Sequence, residues 1–299
     1  MPGISKIIKN RIKSVNSARN ITNAMELVAV AKIKRAVNNL LASRTYAKHA
    51  RELLINLSKE RSLKHPLLTI NKSKKELLIV IASNRGLCGS YNINVIKAVT
   101  NYIKKREDKD IDFIVVGRKA ESVSKYSKGK IIASFLKLPD DLYSEDIAPL
   151  TKIVVEEFIK GNYGKVSIVS TDFISSLKYE TKVSALLPIT QDNLSEITGS
   201  KERDLVNKKS EAIILFEPDD ERVLNLVLPR LTEVRIYQSI LEANASEHSA
   251  RMVAMKNATD SAKSMIEELT IYYNKARQSG ITQEIAEISS ATDALTNAG

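Results

Sequence analysis

Glycine and proline punctuate a chain more strongly than other residues, and here they leave two very long gaps. None occurs from Ile4 to His65, and none from Arg230 to Ser279; after Gly280 the next is Gly299. Ordinary helices have three or four turns. At ~1.5 Å of rise per residue, 4–65 alone makes a rod of roughly 90 Å. A compact globule of this chain length is only about 50 Å across. Both rods must therefore project beyond any globular body. They stay ordered by packing on each other or on a partner.

The C-terminal rod carries a pairing pattern. Val234, Tyr237, Leu241, Asn244, His248, Arg251, Met255, Ala258, Ala262, Met265, Leu269, Tyr272 and Ala276 alternate spacings of three and four, a heptad seam over six repeats. The N-terminal rod shows shorter stretches: Ile8-Ile12-Val15, Ile21-Met25-Val28, Ile33-Val37-Leu40 and Ala47-Ala50-Leu54-Leu57. Their phase drifts, as when a straight helix departs from a strict seven-residue repeat. The simple closure is an intramolecular antiparallel coiled coil, with homodimeric pairing as the rival. Three consecutive seam positions, Asn244, His248 and Arg251, are polar. They read either as a layer that fixes register or as a place where the seam opens to an outside partner.

One stretch of the first rod is apolar on too many faces. Residues 27–31 read Leu, Val, Ala, Val, Ala. Such a collar is wrong for a solvated helix and needs cover on every side.

Between the rods the pattern is α/β. Strands are expected at 76–83, 112–117, 131–138 and 165–173, with helices at 94–107 and 148–161. An edge strand at 181–189 precedes a polar stretch at 190–210. Alternating elements of this kind predict a mostly parallel sheet with helices on its faces. The organisation is thus a coiled-coil helix at 1–65, a Rossmann-like α/β domain at 70–205, and a second helix at 210–299 that pairs with the first.

The net charge of +11 is uneven: residues 1–60 hold twelve Lys/Arg and three Asp/Glu. A basic rod invites an acidic partner, nucleic acid or protein. The longest apolar run, Leu77–Ala82, is far too short to span a bilayer. The N-terminus is transit-like in its basicity but has no signal-peptide core. A single cysteine, Cys88, excludes an intrachain disulfide, and the three histidines lack metal-ligand spacing.

No catalytic constellation emerges. "SNRGLCGSYN" (83–92) follows a strand and precedes a helix, but Gly86-x-x-Gly89 matches neither a dinucleotide fingerprint nor a P-loop. Its glycines suit a tight strand-to-helix turn, with Cys88 a small packed thiol. "GNYGKV" (161–166) fails the P-loop test as well, and "PDDLYSED" (139–146) lacks calcium-loop spacing. No cofactor is implied. The C-terminal end carries an apolar stripe, Ile281, Ile285, Ile288 and Leu295, beside Glu284, Glu287 and Asp293, with no Lys or Arg after Arg277.

Four stretches carry a resemblance: "RIKSVNSARNITNAMELVAVAKIKRA" (11–36), "ASNRGLCGSYN" (82–92), "FEPDD" (216–220) and "ASEHSARMVAMKNATDSAKSMIEELTIYYNKARQSGITQEIAEI" (245–288). Together they resemble the gamma subunit of rotary ATP synthases, specifically at both ends and more loosely from 93 to 210. One departure is Ala291-Thr292, where that family usually has a Gly-Ala pair.

The resemblance implies a non-catalytic rotor, the central stalk of a proton-translocating ATP synthase. Its coiled coil sits inside a ring of alpha and beta subunits. Its α/β domain stands with the epsilon subunit on the membrane c-ring, peripheral to the cytoplasmic face of a bacterial inner membrane. It also implies contact residues: Met25 in the collar, Arg251, Gln278, Thr282 and Glu284 as polar catches for the surrounding ring, and Ile214 and Phe216 in the foot facing the c-ring. The alternatives from composition and pattern are a nucleotide-binding α/β enzyme and a basic coiled-coil nucleic-acid binder. The basic rod lacks the aromatic interleaving of single-strand binders.

Overall fold

The computed structural model describes residues 2–59, 65–106, 110–139, 142–189 and 220–296. Its elements run α1 (Pro2–Lys59), β1 (Glu76–Ile81), α2 (Tyr91–Lys104), β2 (Ile111–Val116), β3 (Ile131–Phe135), α3 (Ser144–Ile159), β4 (Lys165–Ser175), β5 (Lys178–Leu187) and α4 (Asp220–Thr296). Short 3₁₀ turns lie at Pro66–Leu68 and Arg118–Lys125. The chain forms two compact units: residues 1–29 with 252–299, and residues 30–251. Both long helices contribute to each. The stretch 190–210 lies outside the described residues.

The larger unit is built on a five-stranded sheet in the order β3-β2-β1-β4-β5. β1, β2, β3 and β4 are mutually parallel where they pair, and β5 returns antiparallel to β4. The strand period of two sorts β1 between two cores. Leu77, Ile79 and Ile81 pack with α3 (Ile147, Leu150, Val154, Phe158) and with Leu228, Ile236 and Ile240 of α4. Leu78, Val80 and Ala82 pack with Tyr91, Val95 and Val99 of α2. Both faces of β1 are covered, which is why its apolar run is unbroken.

α4 begins at Asp220 and passes through Pro229 rather than starting after it. From Leu231 to Arg251 no residue of α4 is exposed. Several of its polar side chains in this stretch bond locally or to the domain. Thr232 donates to the Leu228 carbonyl at 2.9 Å, Ser246 to the Thr171 carbonyl at 3.3 Å, and Ser249 to the Ser176 carbonyl. Glu233 accepts from Arg230 at 2.8 and 2.9 Å and from Ser144. Glu242 meets the Asp172 side chain, which Lys182 also pairs. Burial first, and the neighbouring Asp172 charge second, push the Glu242 carboxyl up to about 7.

The connection out of α1 is fixed to α4 by His65. Its Nδ1 accepts from the Leu67 N–H at 3.1 Å, capping the 3₁₀ turn, and its Nε2 lies 3.1 Å from Asn225 Oδ1. Only the neutral tautomer with its proton on Nε2 makes both contacts. Burial lowers the His65 pKa from its ordinary value, against the opposing hydrogen bond to Asn225. In the same unit Ser43 donates to Gln238 at 3.3 Å. As the index rises from 43 to 65 the partner falls from 238 to 225, so α1 and α4 run antiparallel.

Candidate functional site

The candidate site is the outward surface of the long helices, and it is defined by what the seam leaves outside. Along α1 the covered positions include Ser5, Ile8, Ile12, Val15, Arg19, Thr22, Glu26, Ala29, Ile33, Ala36, Leu40 and Ser43, with Asn16, Met25, Lys32, Val37 and Asn39 half-buried beside them. The first set alternates steps of three and four, as a heptad seam does, and the expected stretches Ile8-Ile12-Val15 and Ile33-Val37-Leu40 are covered. The expected stretch Ile21-Met25-Val28 is corrected: Ile21 and Val28 are exposed, and Met25 is half-buried at the flank. Arg19, Thr22 and Glu26 are half-buried there. Thr259 donates to Thr22 at 2.8 Å, so a polar pair closes the helices at this level. The side chains of Ala47, Ala50, Leu54 and Leu57 lie outside the described residues.

The collar is consequently inside out. Leu27, Val28 and Val30 are 64%, 56% and 46% exposed, while Ala29 between them is 1% exposed. The covered position takes a small side chain. The larger apolar groups point away from it.

The seam of α4 after Arg251 reads Met252, Met255, Thr259, Ala262, Ile266, Leu269, Tyr273, Ala276 and Gly280. Met265 and Tyr272, expected in it, are exposed. Each is one residue from the covered position, Ile266 or Tyr273, so two adjacent side chains of similar character compete for the seam. From Ile281 to Thr292 every residue is exposed. Thr22 opposite Thr259 in an antiparallel pair sets Pro2 beside residue 279, so α1 ends where this exposure starts. Gln278, Thr282 and Glu284 all lie on the exposed surface, and Gln283 donates to Glu287 at 2.9 Å beside them. Ile281, Ile285 and Ile288 form the exposed stripe. Ala291 and Thr292 remain helical, with the Thr292 hydroxyl on the Ile288 carbonyl at 2.9 Å.

Arg251 is placed differently from the other proposed catches. Its side chain is 12% exposed and its guanidinium donates to Glu247 at 2.7 Å. It also reaches the carbonyls of Arg85 and Gly86 at 3.4 Å each, and lies 3.2 Å from His248 Nδ1. Arg251, the last of the polar run Asn244, His248 and Arg251, thus reaches the turn after β1, and all three side chains line a cleft beside it. The turn itself is tight. Leu87 and Gly89 have φ of 63° and 57°, Ser83 N–H donates to Asn92 Oδ1 at 3.1 Å, and Cys88 is buried with the Asn92 amide 3.1 Å from its sulfur. Ile214 and Phe216 lie outside the described residues. Among the described residues no three His, Cys, Asp or Glu side chains gather as a metal site, and no helix is long and apolar enough to cross a membrane.

Comparison with known proteins agrees with this anatomy. The family described as ATP synthase matches residues 5–295. An ATP synthase gamma chain of Heliobacterium modesticaldum is 38% identical over 296 residues, covering 99% of this chain and 100% of the relative. One from Fusobacterium nucleatum is 40% identical over 297 residues, again covering 99% and 100%. Among solved structures, the Euglena gracilis mitochondrial ATP synthase assembly of OSCP, F1 and c-ring contains a chain similar in fold. Its TM-score is 0.68 at 18% identity, covering 99% of this chain and 95% of that one. The Tetrahymena thermophila central stalk and c-ring structure gives 0.58 at 24% identity, covering 80% and 99%. With a family match along nearly its whole length and two such relatives matched end to end, this chain belongs to the ATP synthase gamma chain family.

Proposed function

We propose that this chain is the central-stalk rotor subunit of an ATP synthase. It couples proton flow through a membrane ring to rotation inside the catalytic alpha/beta ring. The observation that carries this reading is the inside-out collar: Leu27, Val28 and Val30 face outward, while a polar pair, Thr22 and Thr259, joins the two helices nearby. A helix pair living in water would reverse that order. An axle in a protein sleeve needs it, because Leu and Val make smooth contacts with little directional bonding.

Rotation then acts through differences. A ring subunit's conformational equilibrium shifts only by the difference in its contacts with the shaft. Gln278, Thr282 and Glu284 stand exposed on α4 and are the polar groups proposed to engage one ring subunit differently from the next. Met25 borders the collar. Arg251, spent on Glu247 and on the carbonyls of the 85–86 turn, acts on a partner through the position of that turn. Epsilon and the c-ring meet the α/β domain, with Ile214 and Phe216 in the foot. The chain is non-catalytic and peripheral to the cytoplasmic face of a bacterial inner membrane.

Reconstitution tests this. Complexes lacking the chain regain proton-driven ATP synthesis when it is added, and copurify with it alongside alpha, beta and epsilon chains. The pure chain hydrolyses no ATP. Robust turnover by the chain alone, or restored synthesis without it, overturns the proposal. Gln278→Ala and Arg251→Ala each lower coupled synthesis while leaving the far-ultraviolet circular dichroism of the chain unchanged. Wild-type synthesis by both variants removes the catch assignment.

A further inference from the structure

Within the larger unit a cleft of about 450 Å³ opens over the carboxyl ends of β1 and β2. This is the end of a doubly wound sheet where small ligands bind, and the volume lies in the range of ligand pockets. Its floor is apolar, from Ile81, Val116 and Leu138. Its rim is cationic: Arg85, Arg118 and Lys137 line it together with Lys32 and Arg251, against a single carboxylate, Glu247, that Arg251 already holds.

The wall carrying Arg118 is rigid. Gly117 has φ of 87°, and a Cβ there would stand 2.0 Å from the Ala82 carbonyl oxygen. The next N–H, that of Arg118, donates to Asn84 Oδ1 at 3.2 Å. The crossing from β2 is thereby locked to the turn after β1, and the arginine on it has a fixed root.

We propose that this cleft binds a phosphate-bearing small molecule, with its phosphates on Arg85, Arg118 and Lys137 and any apolar body on the floor. Several cations over one small mouth call for a polyanion, since a lone carboxylate would leave most of them uncompensated. Arginine forks suit phosphate oxygens better than any other donor. The proposal is independent of rotor function and involves no bond-breaking step.

Calorimetric titration of the full chain at physiological salt tests it, using inorganic pyrophosphate and, separately, ADP without divalent metal. One-site saturation by pyrophosphate is expected. Tighter binding of ADP assigns the floor to an organic body, and equal binding assigns the site to the inorganic anion. Both outcomes support phosphate recognition. The double variant Arg118→Ala/Lys137→Ala weakens binding about tenfold or more. Lys152→Ala/Lys160→Ala, which removes two exposed cations elsewhere in the same unit, leaves it unchanged. If the alanine variant loses its folded circular dichroism, Arg118→Gln/Lys137→Gln gives the same reading. Failure of both anions to saturate below millimolar concentration overturns the proposal. So does equal binding by the two double variants, or tighter binding of a glutamate oligomer than of either phosphate.

Discussion

Two unbroken apolar runs in this chain meet opposite fates. Leu77–Ala82 in and after β1 is buried throughout, while Leu27, Val28 and Val30 of α1 face outward. The runs differ little in composition. They differ in how many sides the chain itself can cover. A central strand has two faces, and this sheet covers both, with α3 and α4 on one and α2 on the other. A paired helix has one seam, and Ala29 takes it. What remains apolar on α1 is surface that another polypeptide must cover. The contrast makes the helical run a functional signal and the strand run a structural one.

The sharpest test of this contrast is a matched pair of truncations. Leu78→Ala empties a fully enclosed site and lowers the stability of the isolated chain by about 3 kcal/mol in urea titration. Leu27→Ala, an identical chemical change on the collar, is the smallest expected effect: under about 0.5 kcal/mol in the same titration. Its cost is expected in coupled synthesis by the assembled complex. Equal destabilisation by both substitutions would break the comparison, because it would put Leu27 in an intramolecular core.

Between these extremes lie two titrating groups in the larger unit. The Glu242 carboxyl is raised to about 7, so its folded form favours the proton. Its stabilisation is complete below the ordinary carboxylate range near 4.5 and is lost as pH climbs through about 7. Glu242→Gln keeps a neutral side chain beside Asp172. It raises stability at pH 8 by about 2 kcal/mol and changes little at pH 4.5. Thermal unfolding at the two pH values checks this, and a pH-independent effect would sink it. His65 has the opposite sign. Its pKa is lowered by burial, so its contribution is present above 6.5 and lost as pH falls below it. His65→Ala removes the cap on Leu67 and costs about 1 kcal/mol at neutral pH, with a smaller cost in acid.

The absence of glycine and proline was enough to predict both long helices, and the α/β alternation enough to predict a mostly parallel sheet, because both are local or periodic signals. The seam phase was not legible where it mattered. Assigning the seam to apolar residues works only when the outer face is polar. At Ile21 and Val28, and again at Met265 and Tyr272, the outer face is apolar too, so the rule selects outward positions. The inward polar pair Thr22–Thr259 joins residues 237 apart, and no local pattern announces it. Arg251 shows the same limit. Its partner Glu247 is a readable four-residue spacing, but its reach to the Arg85 and Gly86 carbonyls belongs to the tertiary fold. Sequence reasoning also missed the cationic rim of the cleft, whose five members come from five separate segments.

The burial of Cys88 has a practical consequence. It is the sole thiol in the chain, and the turn after β1 encloses it. A maleimide dye offered to the folded protein should find almost nothing to react with. A cysteine placed on the exposed face of α3, for instance at Lys152, would then take the label alone. The natural sequence is therefore a ready background for watching single molecules turn, with no native thiol to engineer away.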